Sequence, residues 1–256
     1  MTELSPELRE LADYEGLTEK DIWSADEIKE IPAVLPTELT DQVPGMERAI
    51  ICGDPISLGD KLDFQQGFDN PYGAFGTCGL NAVANICIIG GKTVTEPEMV
   101  EYAMENDLCT KDDPKYHGGG TTISQQIKLL EHYGFPSHCE LAQETADYDR
   151  LASAIEGGHG VLIGLNSGVL QDRPWKVLNE NGEAIATHAV CLTGTARDPE
   201  TGELVGFYMC DSSGQTPDSG RTFVPLEKMD DCYGNVKGCF AVITNEPIRT
   251  SCGADG

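Results

Sequence analysis

The stretch GFDNPYGAFGTCGLNAVANICII, residues 67–89, decides how the rest of the chain is read. Its first half is loop chemistry: Gly67, Pro71, Gly73 and Gly76 break any regular element. Its second half is apolar, and Gly90-Gly91 ends it, so a helix is expected from Cys78 onward. Cys78 therefore stands at a helix N-terminus directly after a glycine-rich loop. There the helix dipole and the unpaired N–H groups favour a thiolate, and the glycines let backbone or substrate come close. A small buried residue at a helix start would leave the same pattern. Cys78 is the first candidate nucleophile.

Upstream, AIIC (49–52) and LDFQQ (62–66) read as short strands, the second feeding the loop. Downstream, Thr95 with Glu98 and Thr122 with Gln125 are capping-box pairs for two further helices. Gly118, Gly119 and Gly120 form a hinge-like loop between them. DYDRLASAIEGG reads as a fourth helix and GVLIGLN as an apolar strand. After residue 160 the character turns to β: AIATHAVCLTGT and LVGFYMCD are joined by the turn ARDPETGE, and VITN is a last strand. Helices first and an antiparallel sheet second is an α+β pattern.

Residues 1–48 carry a net charge of −9 and differ in character from the rest of the chain. Ser5-Pro6 opens one short helix and Ser24 with Glu27 opens another. Pro32, Pro36 and Pro44 make 31–48 an extended connector. The expected division is an acidic arm, 1–48, and a catalytic domain, 49–256. The arm is either a packing extension or a segment that recruits a partner.

The whole chain of 256 residues has 17 basic and 43 acidic residues, a net charge of −26. Phosphate is repelled by such a surface, so nucleic acid is not the expected partner. No apolar stretch approaches the roughly 18–20 residues of a membrane span. MTELSPELRELADYEG has no basic and then apolar signal pattern, so a cytoplasmic or signal-independent location is expected. Ten cysteines without a Cys-x-x-Cys pair speak for reduced, buried thiols rather than zinc ligands, and no metal or cofactor is expected.

A thiol nucleophile needs a base. Of five histidines, His132 and His138 read as surface residues, His117 lies in a loop and His159 in a turn. His188 opens the apolar run HAVCLTG, where a strand would hold its ring, although a structural histidine would fit there too. Asp211 ends the partner strand and returns to the same end of the hairpin, as orienter of the imidazole or as an Asx-turn with Ser213. The Cys78 N–H needs a second oxyanion donor. Gln66 is the first choice and Gln65 the alternative, because strand register decides which faces the site.

Gln, loop, TCGLNAVAN, then HAVCLTG, then strand-CDSS resembles the papain-like cysteine peptidases. Within them it is similar to the bacterial branch that includes the peptidases removing double-glycine leaders from bacteriocins, as is GGGTTISQQIKLLEHYGF. The likeness spans about 60–245. It implies a papain-like fold with Cys78 as nucleophile, His188 as base, Asp211 as orienter and a preceding glutamine as oxyanion donor. The expected function is hydrolysis of a peptide or isopeptide bond through a thioester. An acyltransferase, transglutaminase-like or deamidating enzyme would use the same three residues, and a non-catalytic acidic binding module is the alternative of another class. Gln66 lies 12 positions before Cys78, so the intervening loop is longer than in papain.

Overall fold

The computed structural model describes residues 4–23, 31–35, 37–40, 43–141, 146–173, 177–214 and 216–249. Strand β5, His188–Arg197, is the spine of an eight-stranded sheet in which every pair is antiparallel. On one side its first half pairs with β4, Val161–Leu165, and its last three residues pair with β2, Ala49–Cys52. On the other side it pairs with β6, Leu204–Cys210, which in turn carries β7, Thr222–Pro225. Beyond β4 lie β8, Phe240–Thr244, and then β3, Ser137–Leu141. The α+β reading of the sequence describes this architecture.

Both faces of the sheet are covered, which is why β4 and β5 read as near-continuous apolar runs. Side chains alternate across a strand. Leu162, Ala189, Cys191 and Val242 face a core built with α3, Cys78–Ile89, α4, Glu96–Glu105, and α5, Ile123–His132. Val161, Ile163, Leu165, Val190 and Leu192 face a second core with α6, Tyr148–Glu156. Both expected capping boxes are present: Thr95 with Glu98 starts α4, and Thr122 with Gln125 starts α5.

Three expectations need correction. LDFQQ forms no strand of the sheet. Asp63 exchanges its backbone N–H and carbonyl with the side chain of Asn85 on α3, at 2.9 and 2.8 Å, and only Gln65 makes a single bridge, to Ser213. His138 is buried rather than at the surface. It sits in β3, its ring stacked on Trp23 at 3.8 Å and hydrogen-bonded to Asn245 and Glu140. The triple-glycine segment is a pinned turn rather than a hinge: Thr110 N–H donates to Gly120 O at 2.7 Å and Gly119 N–H to Thr110 O at 2.8 Å.

The arm is tied into the fold. Helix α1, Pro6–Tyr14, is capped by Ser5, and the expected Ser24–Glu27 cap lies outside the described residues, as does Pro36. Ala12 and Leu17 are buried in the core of α3–α5. Ile22 bridges Cys139 in β3, and the Ile123 N–H at the start of α5 donates to the Glu15 carboxylate at 2.8 Å. Within the extended connector, β1, Thr37–Thr40, pairs with β2 as an edge strand of the sheet. Among the described residues no helix is long and apolar enough to cross a membrane.

Candidate active site

The start of α3 is unusual in what its N-cap does. Thr77 makes no side-chain bond to the first turn of the helix. Its hydroxyl donates to the buried carboxyl of Glu96, which also accepts from Gly67 N–H at 2.7 Å. Glu96 thus clips both ends of the glycine-rich loop to α4. Burial pushes the Glu96 carboxyl above the usual range for glutamate. The first-turn N–H groups stay unclaimed by a side-chain cap, and that of Gly79 acts on the Cys78 thiol.

Glycine is needed where the loops close on this helix end. A Cβ at Gly79 would stand 2.1 Å from Thr121 Oγ1. Gly119 has φ +92°, and a Cβ there would lie 2.5 Å from Thr77 Cγ2. Phe75 N–H donates to Tyr116 O at 2.7 Å and Gly76 N–H to Gly118 O at 3.1 Å, so the two loops lie backbone to backbone. Phe68, Tyr72, Phe75 and Tyr116 are exposed on them.

The structure brings Cys78, His188 and Asp211 together. Cys78 is partly exposed, whereas the other described cysteines are all buried free thiols. The Cys78 thiol and the His188 imidazole are neighbours that shift each other's titration. The imidazole Nε2 lies 2.8 Å from Asp211 Oδ1, so Nδ1 is the nitrogen left for the sulfur. His188 is held as the first residue of β5, opposite Leu165 of β4. Cys210, the last residue of β6, is opposite Cys191, which delivers Asp211 to the same end of the hairpin. Asp211 makes both sets of contacts: besides His188, Oδ1 accepts from Ser213 N–H at 2.9 Å and Ser213 Oγ at 2.7 Å.

The charges follow from these contacts. Burial pushes the Cys78 thiol up. The neighbouring His188 with its imidazolium charge and the N–H groups of Ala189 and Gly79 outweigh it and hold the thiol below the usual cysteine value. Burial lowers the His188 imidazole, but Asp211 and the Cys78 sulfur together raise it to about 10. Asp211 is pushed up by burial and then held far below the usual carboxylate range by the His188 bond and charge and by Ser213. The site favours a thiolate–imidazolium–carboxylate line.

Gln66 and Gln65 part ways. The Gln66 amide bridges the two segments that flank the site: Nε2 donates to Phe75 O at 3.0 Å, and Oε1 accepts from Ser212 Oγ at 3.1 Å. One N–H of that amide is left for another acceptor. Gln65 is linked through its backbone to Ser213. His159 is buried with Nδ1 2.6 Å from Thr244 O, just before Val161. Val161 pairs with Leu192 whereas Leu165 pairs with His188, so His159 lies at the far end of β4 from His188. His117 and His132 are exposed. Among the described residues no group of three or more His, Cys, Asp and Glu side chains is arranged to hold a metal ion.

One residue of the cluster carries no signal in the sequence. Gln171 follows the short helix α7, Ser167–Leu170, and its Nε2 donates to Asp211 Oδ2 at 3.1 Å and to Ser213 Oγ. It lies 40 positions from Asp211, and no spacing rule links the two.

No family model matches the chain. It is 23% identical over 209 residues to uncharacterised proteins of Mycobacterium tuberculosis and Mycobacterium bovis, covering 75% of this chain and 84% of theirs. Among solved structures it is similar to a double-glycine motif protease from an AMS/PCAT transporter, crystallised with a leader peptide, at 14% identity over 66% of this chain and 84% of that one, TM-score 0.39. It is also similar to xylellain, a cysteine protease from Xylella fastidiosa, at 16% identity over 84% of this chain and 97% of that one, TM-score 0.42.

Proposed function

We propose that the protein is a cysteine peptidase in which Cys78 is the nucleophile, His188 the general base and acid, and Asp211 the group that orients and charges the imidazole. The observation that carries this reading is the convergence of three groups: Cys78 at a helix N-terminus, His188 beside it, and Asp211 bonded to the far imidazole nitrogen at 2.8 Å. The Cys78 thiolate attacks the carbonyl carbon of a peptide bond. The resulting oxyanion is met by the Cys78 backbone N–H and by the free amide N–H of Gln66. His188 gives its proton to the departing amine, leaving a thioester on Cys78. Neutral His188 then takes a proton from water, whose oxygen attacks the thioester and releases the carboxylate product and the thiolate. The exposed aromatics on the two adjoining loops would hold the substrate chain beside the thiol.

The test is cleavage of a proteome-derived peptide library, with new termini identified by mass spectrometry. The wild type should generate them, and Cys78→Ala and His188→Ala should not, with unchanged circular dichroism. Equal cleavage by Cys78→Ala would remove the proposal.

A further inference from the structure

We propose that Gln171 is a positioning residue that fixes the carboxylate plane of Asp211 and so sets the charge on His188. This rests on the reading of Cys78, His188 and Asp211 given above. Asp211 offers Oδ1 to three donors: His188 Nε2, Ser213 N–H and Ser213 Oγ. A carboxylate held at one oxygen can still turn about its Cβ–Cγ bond. The Gln171 amide holds the second oxygen, Oδ2, and reaches Ser213 Oγ as well. Both ends of the carboxylate are then fixed, and Oδ1 stays aimed at the imidazole.

The fold spends several interactions on placing this one amide. A four-residue helix does not persist alone. Helix α7 is started by the Asn166 side chain, which accepts from Val169 N–H at 3.1 Å and donates to Val177 O and Ile185 O. It ends immediately after Gln171 in a Schellman motif: Arg173 N–H donates to Gly168 O at 2.8 Å and Asp172 N–H to Val169 O at 3.2 Å. The left-handed residue of that motif is Asp172, φ +51°, where glycine is usual. Its carboxylate is paired with Lys228. On the far side of Gln171, Oε1 accepts from Arg173 Nε at 3.2 Å, which orients the amide so that its NH₂ faces Asp211.

Among the described residues, the other titratable groups that feel the Asp211 charge are Cys210 next to it and Cys232 on the π-helical turn Asp230–Gly234. Burial pushes both thiols well up, so neither is an anion that competes for the imidazolium. The Gln171 amide is neutral and adds direction rather than charge.

The experiment uses the full chain with Gln171→Met, which keeps the bulk and removes the donor. The rate of Cys78 alkylation by iodoacetamide is followed from about pH 5 to 10, a range that spans the ordinary histidine and cysteine values. The His188 imidazole is titrated by nitrogen NMR in a Cys78→Ala background with and without Gln171→Met. Loss of a hydrogen bond to a charged group should lower the His188 pKa, raise that of Cys78 and slow alkylation roughly 3–10-fold near pH 6, with the rates converging above about pH 9. Packing alone would not move a titration. If Gln171→Met does not fold, Gln171→Glu replaces it, and the introduced carboxyl should add a new inflection to the alkylation profile because it donates to Asp211 only while protonated. Titrations that superimpose on the wild type overturn the role of Gln171. A wild-type Cys78 that titrates like an ordinary exposed thiol overturns instead the reading on which it rests.

Discussion

Replacing Asp211 by alanine in a Cys78→Ala background removes the carboxylate–imidazolium pair together with the bonds from Ser213 and Gln171, and only the pair depends on pH through His188. Asp211 and His188 are each 7% exposed and lie 2.8 Å apart. Removing one partner of a buried ion pair leaves the other charge uncompensated, which costs about 3–5 kcal/mol. The pH dependence identifies the cause. Asp211 is depressed in the fold, so its contribution is present above the unfolded carboxylate pKa of about 3.9 and is lost as pH falls towards its folded value. His188 is raised, so its contribution is complete below the unfolded value of about 6.5 and is lost as pH rises through the folded one. The destabilisation should therefore be largest near about pH 5.5, between those two unfolded values. Above about pH 6.5 it should shrink by about 1.4 kcal/mol per pH unit until it levels off. The Cys78→Ala background matters, because thiolate and imidazolium together hold one proton, as an unfolded thiol and neutral imidazole also do between about pH 6.5 and 8.5. That balance would flatten the slope. Urea unfolding followed by circular dichroism at about pH 5.5, 7, 8.5 and 9.5 measures it across that window. A loss independent of pH, or one below about 1 kcal/mol, would refute the charge-pair account and leave Asp211 as a turn residue.

Turnover of any cleaved peptide should rise with pH through a Cys78 pKa below the ordinary thiol value of about 8.5 and fall only as pH nears about 10, where His188 loses its proton; a single rise near about 8.5 would contradict the ion pair. Leu17→Ala should cost about 2–4 kcal/mol in chemical denaturation, because Leu17 is buried in the core beneath α3 and α5, while Cys78 alkylation stays unchanged. The fragment 49–256 should melt below the full chain, since it exposes the edge of β2 that β1 covers and the surface under Ala12; equal melting would make the arm separable after all.

The parts of the site that were legible in the sequence are those set by local chemistry. A glycine-rich loop against an apolar run marks the helix that Cys78 starts. The Asp-Pro and Thr-Gly turn in ARDPETGE pairs the strands that deliver His188 and Asp211, so their meeting follows from chain direction alone. What was not legible depends on partners far along the chain. The apolar–polar pattern of 62–66 suits a strand, but the segment is captured by Asn85 before a strand can claim it. His138 is buried because β3 pairs with β8 and Trp23 covers its ring. The Thr37–Thr40 strand is too short and polar to stand out from a proline-rich connector. Gln171 reaches Asp211 only because a four-residue helix ends beside it.

The proposed activity requires Cys78 to be a thiolate made nucleophilic by His188 and presented to a polypeptide. A peptidyl electrophile, such as an acyloxymethyl ketone carrying a short apolar peptide, tests it with one readout. After brief exposure at about pH 6.5, where an ordinary thiol stays protonated, peptide mapping by mass spectrometry should locate a single adduct on Cys78. Labelling in His188→Ala should fall at least about tenfold, and Cys78→Ala should carry none. An adduct spread over other cysteines, or Cys78 labelled equally with and without His188, would contradict the account.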